Sequence, residues 1–185
     1  MNIDLQRGRV EGAQFSPSPN FDARPKGVPV SLLVVHGISL PPGQFGGPWV
    51  EQLFCNCLDL NAHPYFPKIR DLRVSSHLFV RRDASLIQYV SLHDRAWHAG
   101  ESCFEGQRRC NDFSIGVELE GADDISYEDA QYRSLAALAE ALMLAYPDIT
   151  RERIVGHCHI SPGRKTDPGP VFDWEHFNSL IRPAS

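Results

Sequence analysis

Residues 30–36, VSLLVVH, form a short, almost unbroken apolar run rich in β-branched valine that ends on His36. Such a run, too short for a core helix and bounded by prolines and glycines, reads as a buried β-strand. The next stretch, GISLPPGQFGGP (37–48), is a long loop. FSIGVELEG (113–121) alternates, with Phe113, Ile115, Val117 and Leu119 on one face and Ser114, Gly116, Glu118 and Glu120 on the other. RVSSHLFVRRD and SLIQYVSL read as two strands joined by a turn around Asp83–Ser85, and RIVGH (153–157) as a last short strand. Residues 93–112 read as loop, and residues 1–29 as an irregular lead-in.

Helices interleave with these strands. WVEQLFCNCL (49–58) suits a short one. The clearest spans about 127–146, where Tyr132, Leu135, Leu138, Leu142 and Ala145 recur at helical spacing; Ser126 is the expected N-cap and Pro147 the stop. FDWEHFNSLIR (172–182) predicts a closing helix with Trp174, Phe177 and Ile181 on one face. The pattern specifies an α/β fold with a sheet covered by helices, and 185 residues suit a single domain, 1–185.

The bulk composition narrows the function. A net charge of −5 without a basic stripe gives no nucleic-acid footprint and no electrostatic draw to an anionic membrane. No apolar run approaches the roughly 20 residues that span a bilayer. The N-terminal segment lacks the apolar core of a secretion signal, and five cysteines make an odd count; both lead to the expectation of a cytoplasmic protein with reduced thiols. The CNC pair (55–57) has a poor spacing for either a disulfide or a metal.

Chemistry concentrates in GHCHISPGRKTDPGP (156–170). His36 and His157 both end apolar strands, where a polar ring must be satisfied, and Asp167 follows in a short Gly/Pro loop. Catalytic zinc takes three protein ligands and keeps one position open. Pattern leaves two triads standing: His36, His157 and Asp167, or His36, His157 and His159, since residues two apart on a strand share a face. Cys158 points the other way and reads as a small buried apolar residue.

VVHGISLPPGQFGG, AWHAG, RCNDFSIGVELEG and GHCHISPGRKTDPGP closely resemble the cytoplasmic AmpD-type 1,6-anhydro-N-acetylmuramoyl-L-alanine amidases. These are related to phage amidase lysozymes and peptidoglycan-recognition proteins. The resemblance runs from about residue 15 to about 180. It implies a central mixed β-sheet covered by α-helices, and Zn2+ held by His36, His157 and Asp167. It implies Glu118 and Lys165 as catalytic partners: Glu118 as general base and then proton donor, Lys165 as an oxyanion-stabilising cation. Arg73 and Arg109 are the family-like positions for binding substrate carboxylates, while Trp97 of AWHAG reads either as a surface for the sugar or as a core tryptophan. The implied substrates are anhydro-muropeptides, met by a monomeric enzyme that recycles cell-wall fragments. The rival readings are an amidase of intact peptidoglycan and a muropeptide-binding module without catalysis. Two positions depart from the family pattern: Gly37, where asparagine is usual, and His159, where aspartate is frequent.

Overall fold

The computed structural model describes residues 1–182. In chain order the elements are β1 (Ile3–Asp4), β2 (Arg9–Val10), β3 (Gln14–Phe15), β4 (Phe21–Ala23), β5 (Leu32–Ile38), α1 (Trp49–Phe54), β6 (Leu78–Val80), β7 (Leu86–Gln88), β8 (Asp94–Ala96), β9 (Cys103–Phe104), β10 (Gln107–Arg108), β11 (Ser114–Glu120), α2 (Asp129–Ala145), β12 (Ile154–Gly156), α3 (His157–Ile160) and α4 (Trp174–Leu180). The main sheet has six strands in the order β12-β5-β11-β6-β7-β3. It is mixed: β12, β5, β11 and β6 run parallel, and β7 is antiparallel to β6.

β5 and β11 lie at the centre of the parallel part, which is why both are buried almost throughout. Leu33 and Val35 of β5 and Ile115, Val117 and Leu119 of β11 pack on one face against Tyr132, Leu135, Leu138, Ala139 and Leu142 of α2 and Phe177 of α4. Each fully buried leucine here contributes roughly 1.5–3 kcal/mol. The opposite face carries Leu32 and Val34 against Phe113, Val155 and Ile160, while α1 and its neighbouring loops cover Phe79 and Ile87.

The structure departs from expectation at several places, each for a local reason. The alternate face of β11 meets no solvent: Ser114, Glu118 and Glu120 are buried, because a central strand has both faces covered. Phe113 precedes the strand and packs with Leu32 and Val34 on that same face, away from α2. The N-cap of α2 is Glu128 rather than Ser126; the Glu128 N–H donates to Gln131 Oε1 at 3.1 Å. The buried Gln131 then donates to the carbonyls of Val80 and Glu120, tying the helix start to the sheet. Residues 1–29 are irregular only between four short strands, of which β3 completes the edge of the main sheet beside β7. Residues 93–112 likewise hold β8, β9 and β10. Among the described residues no helix is long and apolar enough to cross a membrane.

Candidate metal centre

Three elements bring the centre together at one end of the parallel strands. β5 supplies His36 on the face away from α2, and the parallel register sets Glu118 of β11 directly beside it. His157 follows β12 but is not a strand residue. The chain turns at Gly156 into α3, so His157 is the first residue of a helical turn. The expectation that His157 and His159 share a strand face therefore fails. His159 points elsewhere: its Nδ1 accepts the Gly156 N–H at 2.9 Å and its ring lies 5.5 Å from that of Trp174.

Asp167 arrives on the loop after α3, which is tightly anchored. The Cys158 N–H donates to the Asp167 carbonyl at 2.9 Å, and the Tyr127 hydroxyl donates to the Pro168 carbonyl at 2.8 Å. Gly169 takes a positive φ of 89° and sits where a Cβ would be 2.5 Å from Asp123 Cα, so the loop closes only with glycine. Gly37 leaves the space that Tyr127 fills: a Cβ there would meet Tyr127 Oη at 2.3 Å.

His36 Nδ1, His157 Nδ1 and Asp167 Oδ2 form a nearly equilateral triangle with edges of 3.0, 3.0 and 3.1 Å. Tetrahedral zinc with bonds of about 2.0–2.1 Å separates its ligand atoms by about 3.3 Å. His157 Nε2 donates to the Ala99 carbonyl at 3.0 Å, which leaves Nδ1 as a lone pair aimed into the triangle. Burial pushes the His36 imidazole down to about 4, against the opposing pull of Asp167, so it offers a neutral nitrogen near pH 7. Two imidazole nitrogens and one carboxylate oxygen converging within 3.1 Å of one another are a donor set that fits zinc.

Beside this triangle Glu118 is buried, and its Oε2 has no hydrogen-bond partner among the described residues. Burial and the nearby Asp167 push its carboxyl well above the usual range, while Lys165 pulls the other way. Lys165 itself is exposed, on the same loop as Asp167. The other site residues expected from sequence are more dispersed. Arg109 is exposed, adopts a left-handed φ of 63°, and pairs with Asp112 at 3.3 Å. It lines a cleft of about 590 Å³ with Arg108, Ser102, Ile160 and Arg164. Arg164 joins that cleft to the centre, since its guanidinium donates to the Ala99 carbonyl that also receives His157. Arg73 donates to the carbonyls of Arg70 and Leu72 and lines a separate cleft of about 160 Å³. Trp97 is half-buried. Sequence reasoning overlooked Arg164, Tyr127 and the Ala99 carbonyl; none carries a local signal, because each acts on a residue far along the chain.

The α/β sheet thus carries, at one end of its parallel strands, a His/His/Asp cluster that could hold a metal ion, beside a buried glutamate. The chain belongs to the N-acetylmuramoyl-L-alanine amidase family, whose model matches residues 26–170. It is similar over nearly its whole length to proteins of the AmpD type. It is 55% identical to the 1,6-anhydro-N-acetylmuramyl-L-alanine amidase AmpD of Citrobacter freundii, over 98% of this chain and 96% of that protein. The crystal structure of a selenomethionine AmpD derivative superposes with a TM-score of 0.94 at 54% identity, covering 98% of this chain and all of that one. The Escherichia coli amidase AmiD, solved with anhydro-N-acetylmuramic acid-L-Ala-D-gamma-Glu-L-Lys as substrate, matches at a TM-score of 0.60 and 28% identity, over 85% of this chain and 60% of that one.

Proposed function

We propose that this chain is a zinc-dependent amidase that hydrolyses the amide between the lactyl group of 1,6-anhydro-N-acetylmuramic acid and L-alanine, as one domain over 1–185. The observation that carries the reading is the convergence of His36, His157 and Asp167 beside the partnerless, buried Glu118. The AmpD relatives, alike over nearly their whole length, support the choice of substrate. Zinc, when bound by these three side chains, supplies an acidified water and a polarised carbonyl.

The chain's own residues do the rest. Glu118, whose raised pKa makes its carboxylate form the stronger base, takes a proton from the attacking water in that ionised form and delivers it to the departing L-alanine nitrogen. Its burial keeps bulk water from competing for that proton. Lys165, on the loop that carries Asp167 and near enough to act electrostatically on Glu118, stabilises negative charge on the former carbonyl oxygen. Arg109 supplies a guanidinium for the peptide's carboxylates in the adjoining cleft; Arg73, on a separate cleft, is the second guanidinium and Trp97 the flat surface for the sugar that the family resemblance implies. The proposed setting is the cytoplasm, with a monomeric enzyme acting on released wall fragments and no nucleic-acid or membrane partner.

The test combines metal analysis with product analysis on an anhydro-muropeptide. One zinc per chain, release of the free peptide, and a kcat/KM well above that for the reduced-end muropeptide bearing the same tripeptide are expected. Equal values, or a preference for polymeric wall, would reject the recycling role in favour of a lytic amidase.

A further inference from the structure

Behind His36 lies a second buried histidine, His98, which takes no part in the proposed chemistry. Its Nδ1 is 2.9 Å from His36 Nε2, and its Nε2 is 3.1 Å from Ser114 Oγ. Ser114 Oγ is in turn 2.6 Å from the carbonyl oxygen of Cys110. The ring occupies a slot over Gly116, where a Cβ would fall 2.5–2.7 Å from three of its atoms.

The protons along this chain of contacts can be counted. A carbonyl oxygen only accepts, so the single hydroxyl proton of Ser114 is committed to Cys110. Ser114 Oγ must then accept from His98, which places the His98 proton on Nε2. A neutral imidazole with a proton on Nε2 offers only a lone pair at Nδ1. His36 is therefore the donor of its contact with His98, and its own proton sits on Nε2. Its Nδ1 is left bare, and Nδ1 is the atom that faces His157 and Asp167. A doubly protonated His98 would reverse the order, but it would be a buried cation whose ring nitrogens meet only an imidazole and a hydroxyl, with no carboxylate in contact among the described residues.

We propose that His98 and Ser114 are positioning residues that set the tautomer of His36. The Cys110 carbonyl, read through a hydroxyl and an imidazole, holds the His36 proton away from the metal centre. The relay works against a real competitor. Asp167 Oδ2 lies 3.1 Å from His36 Nδ1 and, without the relay, would draw the proton onto that nitrogen and block it. His157 needs no relay, because one bond to the Ala99 carbonyl does the same for it. The inference builds on the metal reading of His36, His157 and Asp167, but its main test does not depend on metal.

That test is 15N NMR of histidine-labelled, metal-free full-length protein, in which ring-nitrogen shifts and long-range couplings separate the two tautomers. His36 is expected as the Nε2–H form in the unmodified chain. In His98→Leu it should move to the Nδ1–H form, with zinc affinity, read by chelator competition, falling about 10- to 100-fold. His98→Asn, which restores an acceptor oxygen near the Nδ1 position, should recover most of both. Should His98→Leu fail to fold, Ser114→Ala reports instead: freeing the far end of the relay should give a mixed His36 tautomer and weaker zinc binding. An Nδ1–H His36 in the unmodified protein overturns the proposal. So do variants whose His36 tautomer and zinc affinity are unchanged. If His36 is Nε2–H and responds to these substitutions, yet the protein takes no zinc, the relay stands and the metal reading fails.

Discussion

Gly116→Ala adds one methyl group at the most crowded point behind the centre, and two opposing effects decide its sign. Gly116 lies in β11 outside the left-handed region, so alanine meets no backbone strain. Restricting the unfolded chain would by itself stabilise the protein by about 0.4–1 kcal/mol. Against this, the new Cβ would lie 2.5 Å from His98 Cγ, 2.6 Å from Nδ1 and 2.7 Å from Cδ2. The ring cannot swing aside cheaply, since both its nitrogens are engaged and it is buried. Overpacking of this kind costs about 1–3 kcal/mol. Displacing the ring also breaks its bond to His36, leaving buried polar groups unpaired at a further cost of about 1–3 kcal/mol. The net expectation is a loss of about 3 kcal/mol. At about 2–4 °C per kcal/mol for a chain of this size, Tm should fall by about 6–12 °C. Urea and thermal unfolding of the metal-free protein would measure this, with chelator competition on the same samples reporting a drop in zinc affinity. A Gly116→Ala protein as stable as the parent, with the same zinc affinity, would refute the argument that this glycine seats His98.

The same geometry sets the outcome of other substitutions. Asp167→Ala should abolish stoichiometric zinc after dialysis, whereas His159→Ala should keep it, because His159 is engaged with Gly156 and Trp174; metal analysis of both proteins distinguishes the two triads. Glu118→Gln should retain fold and zinc but lose about 10²-fold or more in turnover, and near-normal activity would move the proton-transfer role to another group. Arg109→Ala and Arg73→Ala should each weaken kcat/KM for anhydro-muropeptide by the loss of a charge-assisted contact, about 1.5–3 kcal/mol, with kcat little changed. Unaltered steady-state kinetics in either variant would remove that arginine from the substrate site.

What the sequence determined by itself was local in origin. The apolar run at 30–36 could only be a buried strand, and it is β5. The leucines at helical spacing after Tyr132 required a helix with one apolar face, and α2 buries Leu135, Leu138 and Leu142. Both come from periodicity, which a segment carries without knowing its neighbours. The residues His36, His157 and Asp167 were likewise legible as a candidate ligand set, because a histidine closing an apolar strand needs a partner wherever it ends up.

Tertiary structure decided what those patterns left open. The alternation in β11 is the same whether its second face meets water or a buried polar site; only the placement of β11 between β5 and β6 buries Glu118 beside His36. A helical turn at His157 rather than continued strand depends on the Asp167 carbonyl meeting the Cys158 N–H, and that turn is what rotates His159 away. His98 finds His36 across 62 residues, and Ser114 completes the contact from a neighbouring strand. A proton's position on an imidazole is set by the atoms that touch both nitrogens. For His36 those atoms come from distant stretches of the chain, so its tautomer was fixed only when the sheet assembled.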